Sequence, residues 1–221
     1  MKFLRRHWYN IGGIVAIFTG AFLAFAWNDL SVVQRLLLLN FIAMLIHQFE
    51  EYAFPGGEPA IMNMVLQPSD TPDRYPLNQH SAMVTNLLYS YAFCLIPVFF
   101  PNVIWLGLAP MLAAIGQLIV HGVAGNLKLK SLYNPGLGAI VFIHMPVTIY
   151  YIYYIQSRGM TSIWDWVIAI VYLVLYITIF LGKLTYSWLA DKNSPYPFAE
   201  EEMSRYNVHQ KVERLKAGKS S

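Results

Sequence analysis

Six long apolar stretches constrain this chain more than any other feature of its sequence. A bilayer core about 30 Å thick needs about 20 mostly apolar residues per helix. Six segments approach that length, at residues 11–27, 33–53, 80–100, 102–124, 136–156 and 163–187. Only 12% of the 221 residues are charged, against about 25% in soluble domains. The sequence therefore predicts an all-α polytopic membrane protein, a bundle of six transmembrane helices.

The basic residues are distributed unevenly between the two ends of these segments. Six spans place both termini on one side, and thirteen of the fifteen lysines and arginines then fall on that side, leaving Arg35 and Arg158 on the other. Because basic loops are retained in the cytoplasm, we expect both termini to be cytoplasmic. The first stretch is interpreted as a retained span and not a cleaved signal peptide, since this preserves the asymmetry. The basic residues do not alternate with aromatic ones as they do in modules that bind nucleic acid. The expected partner is the lipid bilayer.

The connections divide the chain into two parts. A transmembrane domain is predicted over 1–190, followed by a polar cytoplasmic tail over 191–221. The longest connection, 54–79, contains five prolines and the pair Gly56-Gly57, a composition that disfavours a continuous helix. We expect this segment to cover the cytoplasmic mouth of the bundle as a lid, with a short helix near 59–66.

The second apolar stretch ends in polar side chains that share one helix face. His47 precedes Glu50 by three residues and Glu51 by four, which places the imidazole beside both carboxylates. Since adjacent residues differ by about 100° around the axis, the two glutamates cannot face one partner equally well. One is expected to be a metal ligand and the other to handle protons or support the site, and the sequence leaves open which is which.

Further polar residues fall at the same depth of the predicted bundle. Span 3 carries Asn86, the end of span 4 carries His121 and Asn126, and span 5 carries His144. Ionisable residues inside a membrane usually face the bundle interior, where they are paired or functional. The alternative is a structural role, because buried polar pairs also hold transmembrane helices together. His80, near the long connection, is interpreted as an interfacial residue that could join the site.

This set of side chains has the chemistry of a divalent-metal site. Catalytic zinc is bound by three protein ligands, histidine nitrogens and carboxylate oxygens among them, and keeps one open position. The candidate metal ligands are His47, Glu51, His121 and His144. The candidate catalytic residues are Glu50, Glu51, Asn86 and Asn126, with an asparagine orienting the substrate or a developing oxyanion. Zinc is the expected metal, with iron as the alternative.

The string His47-Gln48-Phe49-Glu50-Glu51 resembles the pattern that names the HXXEE-domain family of predicted integral membrane proteins. The resemblance covers roughly residues 33–155 and implies a catalytic role for the histidine and both glutamates. It extends to His121, Asn126 and His144. The chain is also similar, in mechanism only, to intramembrane CAAX-processing proteases, which pair two glutamates with later histidines. The arginine that follows four residues after the second glutamate in those proteases is Pro55 here.

Three functions are compatible with these residues. The leading hypothesis is a membrane-embedded, metal-dependent hydrolase that acts on a lipid or other amphipathic substrate from the cytoplasmic leaflet. The second is a cation or proton-coupled transporter in which the same side chains relay the ion. The third is a metal- or haem-dependent membrane oxidoreductase. The sequence does not indicate the substrate or the oligomeric state.

Overall fold

The computed structural model describes residues 1–217, and within them the chain is built of helices and loops without a β-strand. Six helices are long and apolar enough to cross a membrane, and we number them as spans 1 to 6: Lys2–Phe25, Val32–Tyr52, Gln79–Phe99, Ile104–Leu129, Leu137–Ser157 and Ile163–Trp188. The prediction of an all-α bundle of six transmembrane helices is confirmed. The protein is a multi-pass membrane protein.

Predicted and observed helix boundaries agree closely, with two exceptions. Span 1 begins at Lys2 instead of residue 11, and span 4 continues to Leu129 instead of residue 124. Hydropathy marks the part of a helix that lies in lipid, whereas the helix itself continues through polar residues at the membrane surface. Residues 218–221 lie outside the described residues, and with them Lys219, one of the thirteen basic residues on the terminal side.

Span 2 lies at the centre of the bundle. In its most apolar 18-residue window 61% of residues are buried, against 11% for span 6. The helix begins at a capping box, in which the Gln34 amide donates to Oγ of Ser31 and the Gln34 side chain accepts from the Ser31 amide. Because span 2 contacts spans 1, 3 and 5 along its length, polar groups on it are placed to meet residues from several helices.

A second core lies at the end of the bundle that carries the N-terminus and the described part of the C-terminal tail, which we call the terminal face. The Arg5 guanidinium stacks 3.9 Å from the centre of the Tyr196 ring, which connects span 1 to the tail. Beneath them the rings of Trp8 and Tyr9 pack against Tyr52 at the end of span 2. The terminal face is therefore a packed layer, continuous with the end of span 2.

Residues 54–78 form a cap over this face. The cap contains a short helix over residues 58–66, close to the helix expected near 59–66. Its loop is closed by Asn63, whose fully buried side chain donates to the carbonyl oxygens of Pro72 and Leu77 at 2.7 Å and accepts from the Leu77 amide at 3.0 Å. One amide thereby satisfies three backbone groups and fixes the shape of the cap.

The described part of the C-terminal tail packs on the cap, in contrast to a simple polar extension. The helices Glu200–Ser204 and Val208–Ala217 bury Met203, Val208 and Val212 in the second core, and Phe198, which precedes the first helix, is buried there too. The Phe198 amide donates to the Asp73 carbonyl at 2.7 Å. These apolar residues are widely spaced among charged ones, so the overall composition of the tail does not indicate that one of its faces is buried.

Candidate metal centre

The carboxylate of Glu51 lies between the imidazole rings of two histidines from different spans. Its Oε1 atom is 3.3 Å from Nε2 of His47, one turn earlier on span 2, and 3.3 Å from Nε2 of His121 on span 4. All three side chains are buried. One ligand atom from each residue lies within 4.8 Å of the others, so the three residues form a group that could hold a metal ion.

The other ring nitrogen of each histidine is fixed by an oxygen acceptor. Nδ1 of His47 lies 3.0 Å from the Gly136 carbonyl oxygen, which can only accept, so Nδ1 carries a proton. Nδ1 of His121 lies 2.7 Å from Oδ1 of Asn134, whose amide nitrogen donates to the His121 carbonyl and to Asn126. Both rings therefore present Nε2 to the carboxylate, in the orientation that metal-binding histidines adopt.

The 3.3 Å spacing around Glu51 is compatible with a bound ion and also with ion pairs to protonated imidazoles. A neutral imidazole protonated at Nδ1 carries a lone pair at Nε2, which repels a carboxylate oxygen. The contact becomes favourable when the ring is doubly protonated or when a cation lies between the atoms. Two ligands about 2.0–2.1 Å from a tetrahedral zinc are about 3.3–3.4 Å apart, whereas N–H···O bonds cluster at about 2.9–3.0 Å. Both contacts of Glu51 measure 3.3 Å.

Gly136 allows the two rings to approach each other. It follows Asn134 and Pro135 in the turn before span 5 and has a φ of 96°, a conformation that favours glycine. A Cβ atom there would lie 2.7 Å from Cε1 of His47 and 3.0 Å from Cε1 of His121. The turn thus supplies the carbonyl that orients one histidine and the open space that both need.

Glu50 lies on a different face from Glu51 and anchors span 2 to the start of span 5. Its Oε1 accepts from the Tyr133 hydroxyl at 2.6 Å and from the Gly138 amide at 3.0 Å, and its Oε2 accepts from the Ala139 amide at 2.7 Å. Amides of the first helical turn lack partners within their helix and favour a negative charge. The structure does not bring Glu50 to the histidines, and its catalytic role stays a prediction.

Gln48 connects span 2 to span 3 and positions Asn86. Its amide nitrogen donates to the backbone carbonyl and to Oδ1 of Asn86 at 3.0 and 3.1 Å, and its oxygen accepts from Ser90 at 2.8 Å. The Asn86 amide nitrogen donates to the Ala82 carbonyl at 2.9 Å. Among the polar residues of the motif, His47 and Glu51 contact each other, and Glu51 also contacts His121. Gln48 and Glu50 instead connect span 2 to spans 3 and 5.

A cavity of about 140 Å³ adjoins the three buried side chains. Spans 2, 3, 4 and 6 and the cap contribute to its walls, and its polar lining includes His47, Glu51, Glu58, Asn86, Gln117 and His121. Ligand pockets usually measure about 300–1,000 Å³. The cavity has room for a few waters or a small polar group, and a lipid could enter it only if the cap moved.

Glu58 is a second carboxyl in this cavity and comes from the first turn of the cap helix. It is buried, with 7% of its surface exposed. Burial, together with repulsion from Glu51, raises the pKa of the Glu58 carboxyl to about 8. A carboxyl that titrates near neutral pH can take up and release a proton, as a general acid–base group must.

Besides Glu50, two residues predicted for the site lie outside the cavity, Asn126 and His144. Asn126 accepts from Asn134 at 2.7 Å, and Asn134 contacts Nδ1 of His121, so Asn126 supports His121 indirectly. His144 lies about two turns deeper along span 5, with its ring centre 6.1 Å from that of His47. Its Nδ1 is 3.1 Å from Oδ1 of Asn40, and its buried Nε2 finds no hydrogen-bond partner within residues 1–217. The structure does not include it in the three-residue group.

The remaining histidine considered for the site, His80, packs its ring 5.5 Å from that of Tyr196 and does not line the cavity. Its position at the start of span 3 places it in the packing of the terminal face, so it contacts the tail and not the histidine pair.

Sequence reasoning missed Glu58 and gave no role to Asn134 or to the Gly136 carbonyl. A signal for Glu58 was present, because Gly57-Glu58-Pro59 has the pattern of a helix start, with proline in the first turn. The roles of Asn134 and Gly136 depend on how the turn folds against two other spans, which local sequence does not specify.

Comparison with protein families gives one match. The family described as proteins of unknown function with an HXXEE motif matches residues 38–151, just over half of the chain. The chain therefore belongs to this family, as the resemblance of residues 47–51 indicated. No curated protein and no solved structure matches the chain.

Proposed function

We propose that this member of the HXXEE family is a membrane-embedded, metal-dependent enzyme, a hydrolase that acts on a lipid or other amphipathic substrate from the cytoplasmic leaflet. One observation carries the proposal: two histidine Nε2 atoms meet one carboxylate oxygen at 3.3 Å, while the opposite ring nitrogens are held by oxygen acceptors. This is the donor set of a catalytic centre with three protein ligands.

Zinc is the metal in this proposal, because zinc binds histidine nitrogens and carboxylate oxygens and keeps an open position in catalytic sites. Two histidines and one carboxylate are also the ligands of non-haem iron centres, which are octahedral. Neighbouring ligands in an octahedron with bonds of about 2.1 Å are about 3.0 Å apart, and in a tetrahedron about 3.4 Å. The 3.3 Å contacts of Glu51 are compatible with the tetrahedral spacing, and iron remains the alternative metal.

The other cavity residues supply the groups that hydrolysis requires. A zinc ion held by His47, Glu51 and His121 would supply a Lewis acid and would lower the pKa of a bound water to about 7. Glu58 faces the same cavity and is the general base in this proposal. A bound cation would lower its raised pKa, and the ionised carboxylate would then accept the proton of the attacking water. Asn86 is oriented by Gln48 and presents its amide at the cavity wall for the substrate. In this proposal the proton-handling carboxylate beside the ligand Glu51 is Glu58, and not Glu50.

The orientation of the chain decides which leaflet supplies the substrate. Thirteen of the fifteen basic residues lie on the side of the termini, which supports a cytoplasmic terminal face. The cavity lies next to that face, between the ends of spans 2 and 4 and the cap. A substrate from the cytoplasmic leaflet would enter this cavity through an opening of the cap, which carries Glu58.

Elemental analysis of purified protein tests the metal directly. We expect about one zinc per chain in the wild type and in His209→Ala, which changes an exposed histidine of the tail. We expect the metal to be lost in Glu51→Gln and His121→Ala. Equal metal content in all four proteins, or none in the wild type after growth with added zinc, contradicts the proposal.

The reaction itself is tested by incubating the protein with a total membrane lipid extract and following the products by mass spectrometry. Glu58→Gln is expected to keep the metal and to lower turnover by about 10²–10⁴-fold, the usual contribution of a general base. A product that forms equally with wild type and Glu58→Gln contradicts the role of Glu58, and no lipid-derived product with the metal-loaded wild type contradicts hydrolysis.

A cation or proton-coupled transporter is the second candidate, and the position of His144 favours it. This histidine is 1% exposed, its Nε2 has no partner among the described residues, and it lies beside His47 on the side toward the membrane centre. An ion could pass between the two rings. A flux of protons or zinc into proteoliposomes that His144→Ala abolishes would favour transport, whereas metal-dependent lipid turnover without flux would favour the enzyme.

A further inference from the structure

A large groove on the terminal face is separate from the cavity around Glu51. Its volume is about 780 Å³, and the cap, the end of span 4 and the C-terminal helix form its walls. The charged residues of its lining are Lys128, Lys130, Lys216 and Asp70. None of its lining residues lines the cavity that contains the histidine pair. The groove therefore presents a net positive charge at the end of a transmembrane helix.

A second groove of about 460 Å³ continues from the first along the outside of span 4. The two grooves share Leu127 and Lys130, and the second is also lined by Val123 and Leu132. Leu127 and Leu132 are 73% and 96% exposed. Ile119, Val123 and Leu127 are spaced four residues apart, so they lie on one side of span 4. They form an exposed stripe that runs from the groove along the lipid-facing side of the helix.

The groove also joins the cap to span 4. The Lys128 ammonium donates to the carbonyl oxygen of Leu66, the last residue of the cap helix, at 3.1 Å. Lys130 ends span 4 in a left-handed conformation, with φ 49° and ψ 46°, where the chain turns towards span 5. Both lysines are exposed at the helix end, where a phosphate at the membrane surface could contact their ammonium groups.

We propose that the two grooves together bind one anionic phospholipid, with its phosphate between Lys128 and Lys130 and one acyl chain along Val123 and Leu132. Basic pockets at the ends of transmembrane helices recognise anionic headgroups, and the apolar stripe supplies the matching surface for the chain. The site is distinct from the metal centre. Because Lys128 also holds the cap helix, a lipid bound here contacts the joint between the cap and span 4.

Binding of lipids with equal acyl chains tests the proposal. Full-length protein in uncharged detergent is titrated with phosphatidylglycerol and with phosphatidylcholine that carry the same fluorescent chain. We expect the wild type to prefer phosphatidylglycerol and the Lys128→Gln/Lys130→Gln variant to bind it about 30-fold more weakly, since each lysine near an anionic lipid contributes about a fivefold factor. The matched control is Lys2→Gln/Arg6→Gln, which removes two exposed charges of the same face outside the groove.

If the double variant unfolds or loosens the cap, a single substitution still tests the proposal. Lys130→Gln keeps the bond from Lys128 to Leu66 and is expected to weaken phosphatidylglycerol binding about fivefold. The proposal is overturned if phosphatidylcholine binds as tightly as phosphatidylglycerol, or if the control variant loses as much affinity as the double variant. Competition by soluble glycerol phosphate at the concentration of the lipid also overturns it, because the apolar groove would then contribute nothing.

Discussion

Glu50 and Glu51 are adjacent in the motif but contact different partners. Glu51 lies against two histidine rings, whereas Glu50 accepts hydrogen bonds from the first turn of span 5. The 100° between successive residues of a helix separates the two carboxylates. One adjacent pair thereby combines a candidate metal ligand with a structural anchor, and substitutions at the two positions should have separable effects.

Glu50→Gln is expected to lower the free energy of unfolding by about 1.5–3 kcal/mol, since the amide loses a charge-assisted acceptor for the donors at the start of span 5. Zinc content should be kept. Denaturant titration followed by elemental analysis measures both, with Glu213→Gln, an exposed carboxylate of the tail, as control. Loss of zinc without loss of stability would place Glu50 among the ligands and refute the assignment as an anchor.

Removing the metal should destabilise the wild type and leave Glu51→Gln unaffected. A ligand present at 1,000 times its dissociation constant stabilises the folded state by about 4 kcal/mol. Thermal unfolding of zinc-loaded protein is compared before and after treatment with a chelator and again after zinc is restored. A chelator-induced shift of the same size in Glu51→Gln would show that the metal binds elsewhere.

Gly136→Ala should distort the site from within the turn. The added Cβ would lie 2.7 Å from the His47 ring, at a φ of 96°, and such strain costs about 1–3 kcal/mol. We expect weaker zinc binding, measured by competition with a fluorescent chelator. Gly116→Ala is the control, because a Cβ there meets no atom within 4 Å. Equal zinc affinity in the two variants would show that the turn does not shape the site.

Substitution of Asn134 should weaken zinc binding more than substitution of Asn126. Asn134 accepts directly from Nδ1 of His121, whereas Asn126 acts only on Asn134. Loss of a group that orients a metal-binding histidine typically lowers metal affinity by about 10–100-fold. We expect that loss for Asn134→Ala and a smaller one for Asn126→Ala, in the same competition assay. The reverse order would mean that Asn126 contacts the metal or its water directly, and not through Asn134.

The orientation can be tested by labelling single cysteines in intact cells, after the buried Cys94 is replaced by alanine. Cysteines introduced at Asn102, between spans 3 and 4, and at Ser157, the last residue of span 5, lie on the side away from the N-terminus. They should react with a reagent that does not cross the membrane. A cysteine at Lys192 should react only after the cells are opened. Labelling in the reverse pattern would place the metal centre towards the outer leaflet.

The number of spans, their approximate bounds and the depth of the polar residues could be predicted from the sequence. Long apolar runs have one stable state in a bilayer, the helix, because unpaired backbone groups are too costly in lipid. His47 and Glu51 could be placed on one face since they are one turn apart in the same helix. Their depth relative to His121 follows from the antiparallel order of neighbouring spans.

The rotation of each helix, and the contacts that depend on it, were decided by tertiary structure. The sequence did not separate the roles of Glu50 and Glu51, because which carboxylate meets His121 depends on the packing of span 4 against span 2. Glu58 reaches the cavity through the fold of the cap, which Asn63 closes with hydrogen bonds to residues nine and fourteen positions away. Helix geometry fixes the positions of residues within one span, whereas the site depends on side-chain packing between spans.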